Sequence, residues 1–188
     1  MSIETLKVNK NLVEILTDKL NKKTAVIGVV GLGYVGLPLA VENAKSGFKV
    51  IGFDVNAARV AQLNSGMNYI GDVKDEELKH AIENKQFQAT NDYTNIKNVD
   101  VAIICVPTPL DEHKQADTSY VESATEEISK YLQPGMLVIL ESTTFPGTTE
   151  EILKPLLEKS GLTCGADFFL AYSPERVDPG NKQFNTSN

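Results

Sequence analysis

The stretch from Ala25 to Asp54, AVIGVVGLGYVGLPLAVENAKSGFKVIGFD, constrains this chain more than any other. Its first six residues are apolar and rich in β-branched side chains, enough for one buried strand. The run empties into Gly31-Leu32-Gly33-Tyr34-Val35-Gly36, a G-x-G-x-x-G, and the spacing then predicts a helix to about Ser46, with Gly47 as its C-cap. A second apolar run, Phe48 to Phe53, ends on an acid, Asp54. A glycine cluster alone makes ordinary turns, but strand, turn, helix, strand and terminal acid in that order describe a βαβ unit built around a dinucleotide. Gly31 permits the tight turn, Gly33 lets the backbone approach a pyrophosphate, and Gly36 lets the helix pack closely on its strand. Tyr34 and Val35 lie between them, where helix N–H groups and the positive end of the dipole face the phosphates.

Asp54 selects the dinucleotide. A carboxylate there accepts the ribose hydroxyls of an adenosine, which suits NAD. A 2′-phosphate in the same place would set like charges side by side, a repulsion of roughly 4 kcal/mol at 4 Å and an effective dielectric of 20. The next residue is Val55 rather than an arginine, so nothing adjacent offsets that charge. Arg59 stands one helical turn further on, and two readings stay open for it: a contact to the adenosine, or a solvated helix arginine.

The 188 residues suffice for one sizeable domain, and 41% hydrophobic with 23% charged residues is ordinary for a globular chain. A net charge of −7 argues against nucleic acid or an anionic membrane surface as partner. No apolar run reaches the length of a membrane span, and the N-terminus lacks a signal-peptide core. The two cysteines, Cys105 and Cys164, make no disulfide framework, so a cytoplasmic location is the default expectation.

Before the first strand, Leu12, Val13, Ile15, Leu16 and Leu20 follow a helical rhythm. Residues 1–23 therefore read as a helical extension, packed on the domain or on a partner, and 24–188 as the dinucleotide-binding domain. Further helices are predicted over 56–63, with Asn56 as N-cap, and over 72–84, 119–132 and 148–159, the last bent or late-starting because of Pro155. Further strands are predicted over 87–90, 98–106, 136–140 and 168–172. This alternation gives an α/β fold, a doubly wound parallel sheet of the Rossmann type. His80 and His113 have no partner at metal-ligand spacing, and no metal site is expected. Cys105 reads as a small core residue within its strand. Val106-Pro107-Thr108-Pro109 forces an extended loop at a strand's carboxyl end, where the ligand of such a sheet lies.

The loops VPTP, ESTTFPGT and SPERVDPGN, taken with GLGYVGLPLA, resemble those of the nucleotide-sugar 6-dehydrogenases, the UDP-glucose and UDP-N-acetylhexosamine 6-dehydrogenase family. The resemblance runs from about Thr24 to the end, and SPER-x-x-PG is most similar to members acting on UDP-N-acetylglucosamine or UDP-N-acetylmannosamine. It implies a two-step oxidation of the sugar C6 alcohol to a carboxylate, two NAD molecules used in turn, and a cysteine nucleophile. It also implies that Gly31, Gly33, Tyr34, Val35 and Gly36 cradle the pyrophosphate and that Asp54 and Arg59 hold the ribose. Val106, Pro107 and Thr108 would line the cleft, Thr143 would orient water near the nicotinamide, and Glu175 would act as or position an acid–base group. Two plainer readings stand beside these: Thr143 as a cap of the following helix, and Glu175 as a surface acid paired with Arg176.

UDP-glucose members carry a second glutamate four residues after that of S-P-E, where this chain has Pro179, with Asp178 one residue short. The acetamido branch is thereby favoured over UDP-glucose. The family's glycine-rich cysteine motif and its UDP-binding domain have no counterpart here, since Cys164 in GLTCGAD lacks that motif. The sequence thus reads as the cofactor domain of a longer, homo-oligomeric enzyme whose UDP-sugar substrate needs further domains. A non-catalytic NAD-binding regulatory module is the alternative from another class.

Overall fold

The computed structural model describes residues 9–110 and 116–174. Six strands among them form one sheet: β1 (Val26–Val30), β2 (Lys49–Phe53), β3 (Phe87–Thr90), β4 (Val101–Ile104), β5 (Leu137–Leu140) and β6 (Phe169–Tyr172). Their spatial order is β3-β2-β1-β4-β5-β6 and every pairing is parallel. Both faces of the sheet are covered, which is why the strands read as continuous apolar runs. In β4, Val101 and Ile103 enter one core cluster while Ala102 and Ile104 enter the other.

The helices are α1 (Lys10–Asn21), α2 (Gly36–Lys45), α3 (Ala57–Asn64), α4 (Asp75–Glu83), α5 (Ser119–Ser129) and α6 (Lys154–Glu158). Leu37, Val41, Leu63 and Leu78 bring α2, α3 and α4 against one face; Val121, Ile128 and Leu157 bring α5 and α6 against the other. The doubly wound sheet expected from the sequence is what the chain forms. The Asn56 side chain accepts the N–H groups of Ala58 and Arg59, capping α3 as expected.

Two segments differ from their sequence reading. The strand anticipated over 98–106 spans only Val101–Ile104: Asn98 ends a 3₁₀ helix, Tyr93–Asn98, and Cys105 and Val106 already belong to the loop that follows. The Asp92 carboxylate accepts the Thr94 N–H at 3.0 Å and offers the backbone a turn in place of the ladder. Ile96 and Val99, apolar as strand residues would be, are buried beneath α5 instead. The helix anticipated over 148–159 opens as a π-helix, Thr148–Leu153, before α6 begins with Pro155 in its first turn. That is where a residue with no N–H breaks no helical hydrogen bond.

α1 packs on the sheet. Leu16 is buried in the cluster beneath α2, and Asp100, just before β4, ties the helix down. One carboxylate oxygen accepts from Lys19 Nζ at 2.6 Å and the other from the Val26 N–H at 2.9 Å. The turn after β1 is equally constrained. Gly31 has φ of +94°, and a Cβ at Gly36 would stand 1.8 Å from the Gly31 carbonyl oxygen. Only hydrogen fits between α2 and the turn that launches it.

Two outcomes follow for stability. Asp100→Ala should cost about 1–2 kcal/mol, since it strips a strand N–H of its acceptor as well as an ion pair. Lys19→Ala should cost about 0.5 kcal/mol, because the half-exposed pair is solvent-screened. Thermal unfolding separates the two, with roughly 2–4 °C of Tm per kcal/mol at this chain length. Gly36→Ala should cost at least about 2 kcal/mol by overpacking; a Tm within a degree of wild type would show that α2 can move away freely.

Candidate functional site

The strand order reverses between β1 and β4, and in such sheets a crevice opens there, outside the carboxyl ends of the strands. A cleft of about 670 Å³ occupies that position. Gly31, Gly33, Tyr34 and Val35 line it from the first turn. Gly36 stands behind the turn, where it sets the approach of α2. A Cβ built on Gly33 would meet nothing within 4 Å, so this stretch of backbone borders open space in which a bulky anion can approach it. In the first turn of α2 the Leu37 N–H already donates to the Gly33 carbonyl at 3.1 Å and Pro38 has no N–H, so it is the glycine turn's own backbone and the positive end of the helix dipole that favour an anion here.

Asp54, at the end of β2, is only 6% exposed yet borders the cleft. Its Oδ1 accepts the Asn56 N–H at 2.8 Å, and its Oδ2 accepts the Leu32 N–H at 3.3 Å. Carboxylate oxygens carry more lone pairs than these two bonds use, which leaves acceptor capacity for a vicinal diol. Arg59 Nη1 lies 3.8 Å from Asp54 Oδ2, and its guanidinium stands over the Tyr69 ring, 5.6 Å from the centroid. Of the two readings open for Arg59, the structure places it beside the acid and on the cleft wall. Glycine cradle, acid and arginine together match the donors and acceptors that an adenosine diphosphate moiety requires.

The opposite wall comes from the loops after β4 and β5. Val106, Pro107, Thr108 and Thr143 all line the cleft. Two hydroxyls lace these loops together. Thr108 Oγ1 donates to the Thr143 carbonyl at 2.6 Å, and the buried Ser142 Oγ donates to the Val106 carbonyl at 2.9 Å. The segment after Thr143 starts its helix at Thr148 with Gly147 as N-cap, so Thr143 does not cap it. Glu175, Asp178, Pro179 and His113 lie outside the described residues.

Sequence reasoning named Tyr34 but missed Tyr69, Tyr93 and Tyr120, which also line the cleft. Tyr69, from the loop between α3 and α4, donates its hydroxyl to the Leu32 carbonyl at 2.6 Å. Burial, chiefly, together with the nearby Asp54 charge pushes its phenol up to about 12. Tyr93, whose ring centroid lies 5.4 Å from that of Phe53, is pushed up to about 12 by burial and then by Asp54 and Glu127. Tyr120 and Glu127 on α5 also reach the cleft. The signal available for Tyr69 was an aromatic residue in the short loop between two predicted helices.

Neither cysteine forms a disulfide. Cys105 is buried, as a core residue of its kind would be. Burial raises the Cys164 thiol above its usual range, which disfavours a thiolate there. Among the described residues no group of three His, Cys, Asp or Glu could hold a metal ion, and no helix is long and apolar enough to cross a membrane.

The model of the UDP-glucose/GDP-mannose dehydrogenase family, NAD binding domain, matches residues 25–188. The UDP-N-acetyl-D-glucosamine 6-dehydrogenase of Pseudomonas aeruginosa is 48% identical over 166 residues, 88% of this chain and 38% of that protein. Among solved structures, the UDP-D-ManNAc dehydrogenase of Pyrococcus horikoshii superposes with a TM-score of 0.78 at 41% identity, covering 82% of this chain and 37% of that one. A ternary complex of GDP-mannose dehydrogenase from P. aeruginosa gives 0.78 at 30% identity, covering 81% and 36%. The chain thus spans little more than a third of the relatives it matches. With a six-stranded parallel sheet and a glycine-turn cleft at its switch point, and a family match that runs from the first strand to the last residue, the chain belongs to the UDP-glucose/GDP-mannose dehydrogenase family and carries its NAD binding domain.

Proposed function

We propose that this chain is the cofactor-binding part of an NAD-dependent UDP-N-acetylhexosamine 6-dehydrogenase, which oxidises the sugar C6 alcohol to a carboxylate in two steps. The observation that carries the proposal is Asp54, a buried carboxylate at the end of β2 with its free lone pairs toward a glycine-lined cleft. A ribose diol fits that acceptor, whereas a 2′-phosphate meets its charge. When bound, NAD supplies the hydride acceptor. Gly31, Gly33, Tyr34, Val35 and Gly36 form the cradle of the pyrophosphate, and Arg59 assists Asp54 at the ribose. Val106, Pro107 and Thr108 border the nicotinamide half. Thr143, its backbone held by Thr108, orients water beside the reacting carbon, and Glu175 is the acid–base group or positions one.

The acetamido-sugar assignment rests on SPER-x-x-PG, on Pro179 where UDP-glucose members have glutamate, and on relatives such as the P. aeruginosa enzyme named for UDP-N-acetyl-D-glucosamine. In this reading residues 1–23 are an extension of the 24–188 domain. The UDP site and the nucleophilic cysteine belong to further domains of a cytoplasmic homo-oligomer.

Calorimetry with the 188-residue chain should show NAD uptake at least tenfold tighter than NADP. Asp54→Ala should weaken NAD binding by about 10- to 100-fold, the loss of charge-assisted hydrogen bonds to the diol. Equal affinity in the variant would remove the basis of the proposal. The same chain should form no NADH from UDP-N-acetylglucosamine, while a full-length enzyme should prefer an acetamido sugar; preference for UDP-glucose would refute the substrate assignment drawn from Pro179.

A further inference from the structure

The loop between α3 and α4 is built to hold one side chain in place. Asn68 organises it: its Oδ1 accepts the Ile70 N–H at 2.8 Å, and its Nδ2 donates to the carbonyls of Ile70 and Val73. Ile70 and Val73 are themselves buried in the core cluster beneath α2. Tyr69, between Asn68 and Ile70, is thereby presented to the glycine turn, and its hydroxyl donates to the Leu32 carbonyl at 2.6 Å.

Leu32 is the second residue of G-x-G-x-x-G, and it is held at three points. Its side chain is fully buried and seated over Gly52 of β2, where a Cβ would come within 2.8 Å of Leu32 Cδ2. Its N–H donates to Asp54, and its carbonyl accepts from Tyr69. The Leu32 carbonyl and the Gly33 N–H belong to one planar trans peptide and point in opposite directions. A hydroxyl fixing the carbonyl therefore fixes the direction of the Gly33 N–H. It also polarises that N–H, because hydrogen bonds through one amide reinforce each other.

We infer that Tyr69 is a positioning residue for dinucleotide binding: its hydroxyl locks the Leu32–Gly33 peptide so that the glycine turn meets the diphosphate already in its binding conformation. The inference rests on the cleft being an NAD site. Tyr69 touches the turn and acts through it. The phenol remains a donor throughout the neutral range, since burial and Asp54 keep its proton in place. The ring has a separate task beneath Arg59, which Tyr69→Phe leaves intact.

The test compares Y69F and Y69L with wild type, measuring NAD affinity by calorimetry, Tm, and the Gly33 amide resonance in ¹⁵N-labelled chain. Y69F should bind NAD about three- to tenfold more weakly, the worth of one neutral hydrogen bond. Its Gly33 resonance should move in the free protein, and Y69L, which also loses the ring, should bind no tighter than Y69F. Wild-type affinity in Y69F, or a lowered Tm with affinity and Gly33 resonance unchanged, overturns the role and leaves Tyr69 a structural residue. Absence of NAD binding by wild type itself overturns the reading of the cleft and this inference with it, a result distinct from equal binding by both.

Discussion

Everything in this domain is referred to one close approach, the Gly31 carbonyl against the backbone of Gly36. The 1.8 Å that would separate that oxygen from a Cβ at residue 36 leaves no side chain admissible. The contact fixes the start of α2 relative to the end of β1, so the helix N-terminus opens on the cleft and does not run past it. Its consequences spread by packing. Leu37, Ala40 and Val41 of α2 then fall on the sheet with no exposure above 1%, and Leu32 is directed onto β2 beneath them. A displaced α2 would lose these contacts together, since close-packed interiors do not deform gradually.

Asp54 is the electrostatic counterpart. A carboxylate with almost no exposure carries a desolvation cost that only hydrogen bonds and nearby charge can offset. Here two backbone N–H groups and a guanidinium 3.8 Å away supply the offset. The arginine is half exposed, so the two N–H bonds carry more of the compensation than the ion pair. Both come from segments whose positions the fold has already set, the glycine turn and the entry to α3. The acid is thus preorganised, and its side chain has little rotamer entropy left to lose.

The sequence was most readable where one residue type performs one mechanical task within a short span. The glycine turn, the acid ending β2, the Asn56 cap and all six strands are local in that sense, and the alternation of strand and helix led directly to the doubly wound sheet. The 3₁₀ segment from Tyr93 escaped because Ile96 and Val99 satisfy an apolar pattern whether extended or coiled, and six residues are too few to separate the two periods. Tyr69 escaped for a different reason. It lies 37 residues from the carbonyl it holds, and nothing in SGMNYIGD signals which way the ring will point. The lacing of Thr108 and Ser142 to the opposite loop is likewise a product of two strands meeting side by side. Residues 175–188, which hold Glu175 and all but the first two residues of SPER-x-x-PG, lie outside the described residues, so for them only the sequence speaks.

The two ends of the cleft are therefore stabilised in different ways. At the end beside the glycine turn a buried acid holds the N–H of Leu32 and a tyrosine holds its carbonyl, with Arg59 against both side chains, and burial keeps water from competing for these hydrogen bonds. At the other end, hydroxyl-to-carbonyl bonds join two loops in which Pro107, Pro109 and Thr143 are exposed. The Thr108–Thr143 bond, being exposed, contributes about 1 kcal/mol and opens at little cost, while that of the buried Ser142 is the firmer of the two. A dinucleotide lying across the cleft therefore meets a rigid grip at one end and a looser border at the other. The rigidity sits where hydrogen bonds are shielded by burial, and the freedom sits where the loops meet solvent.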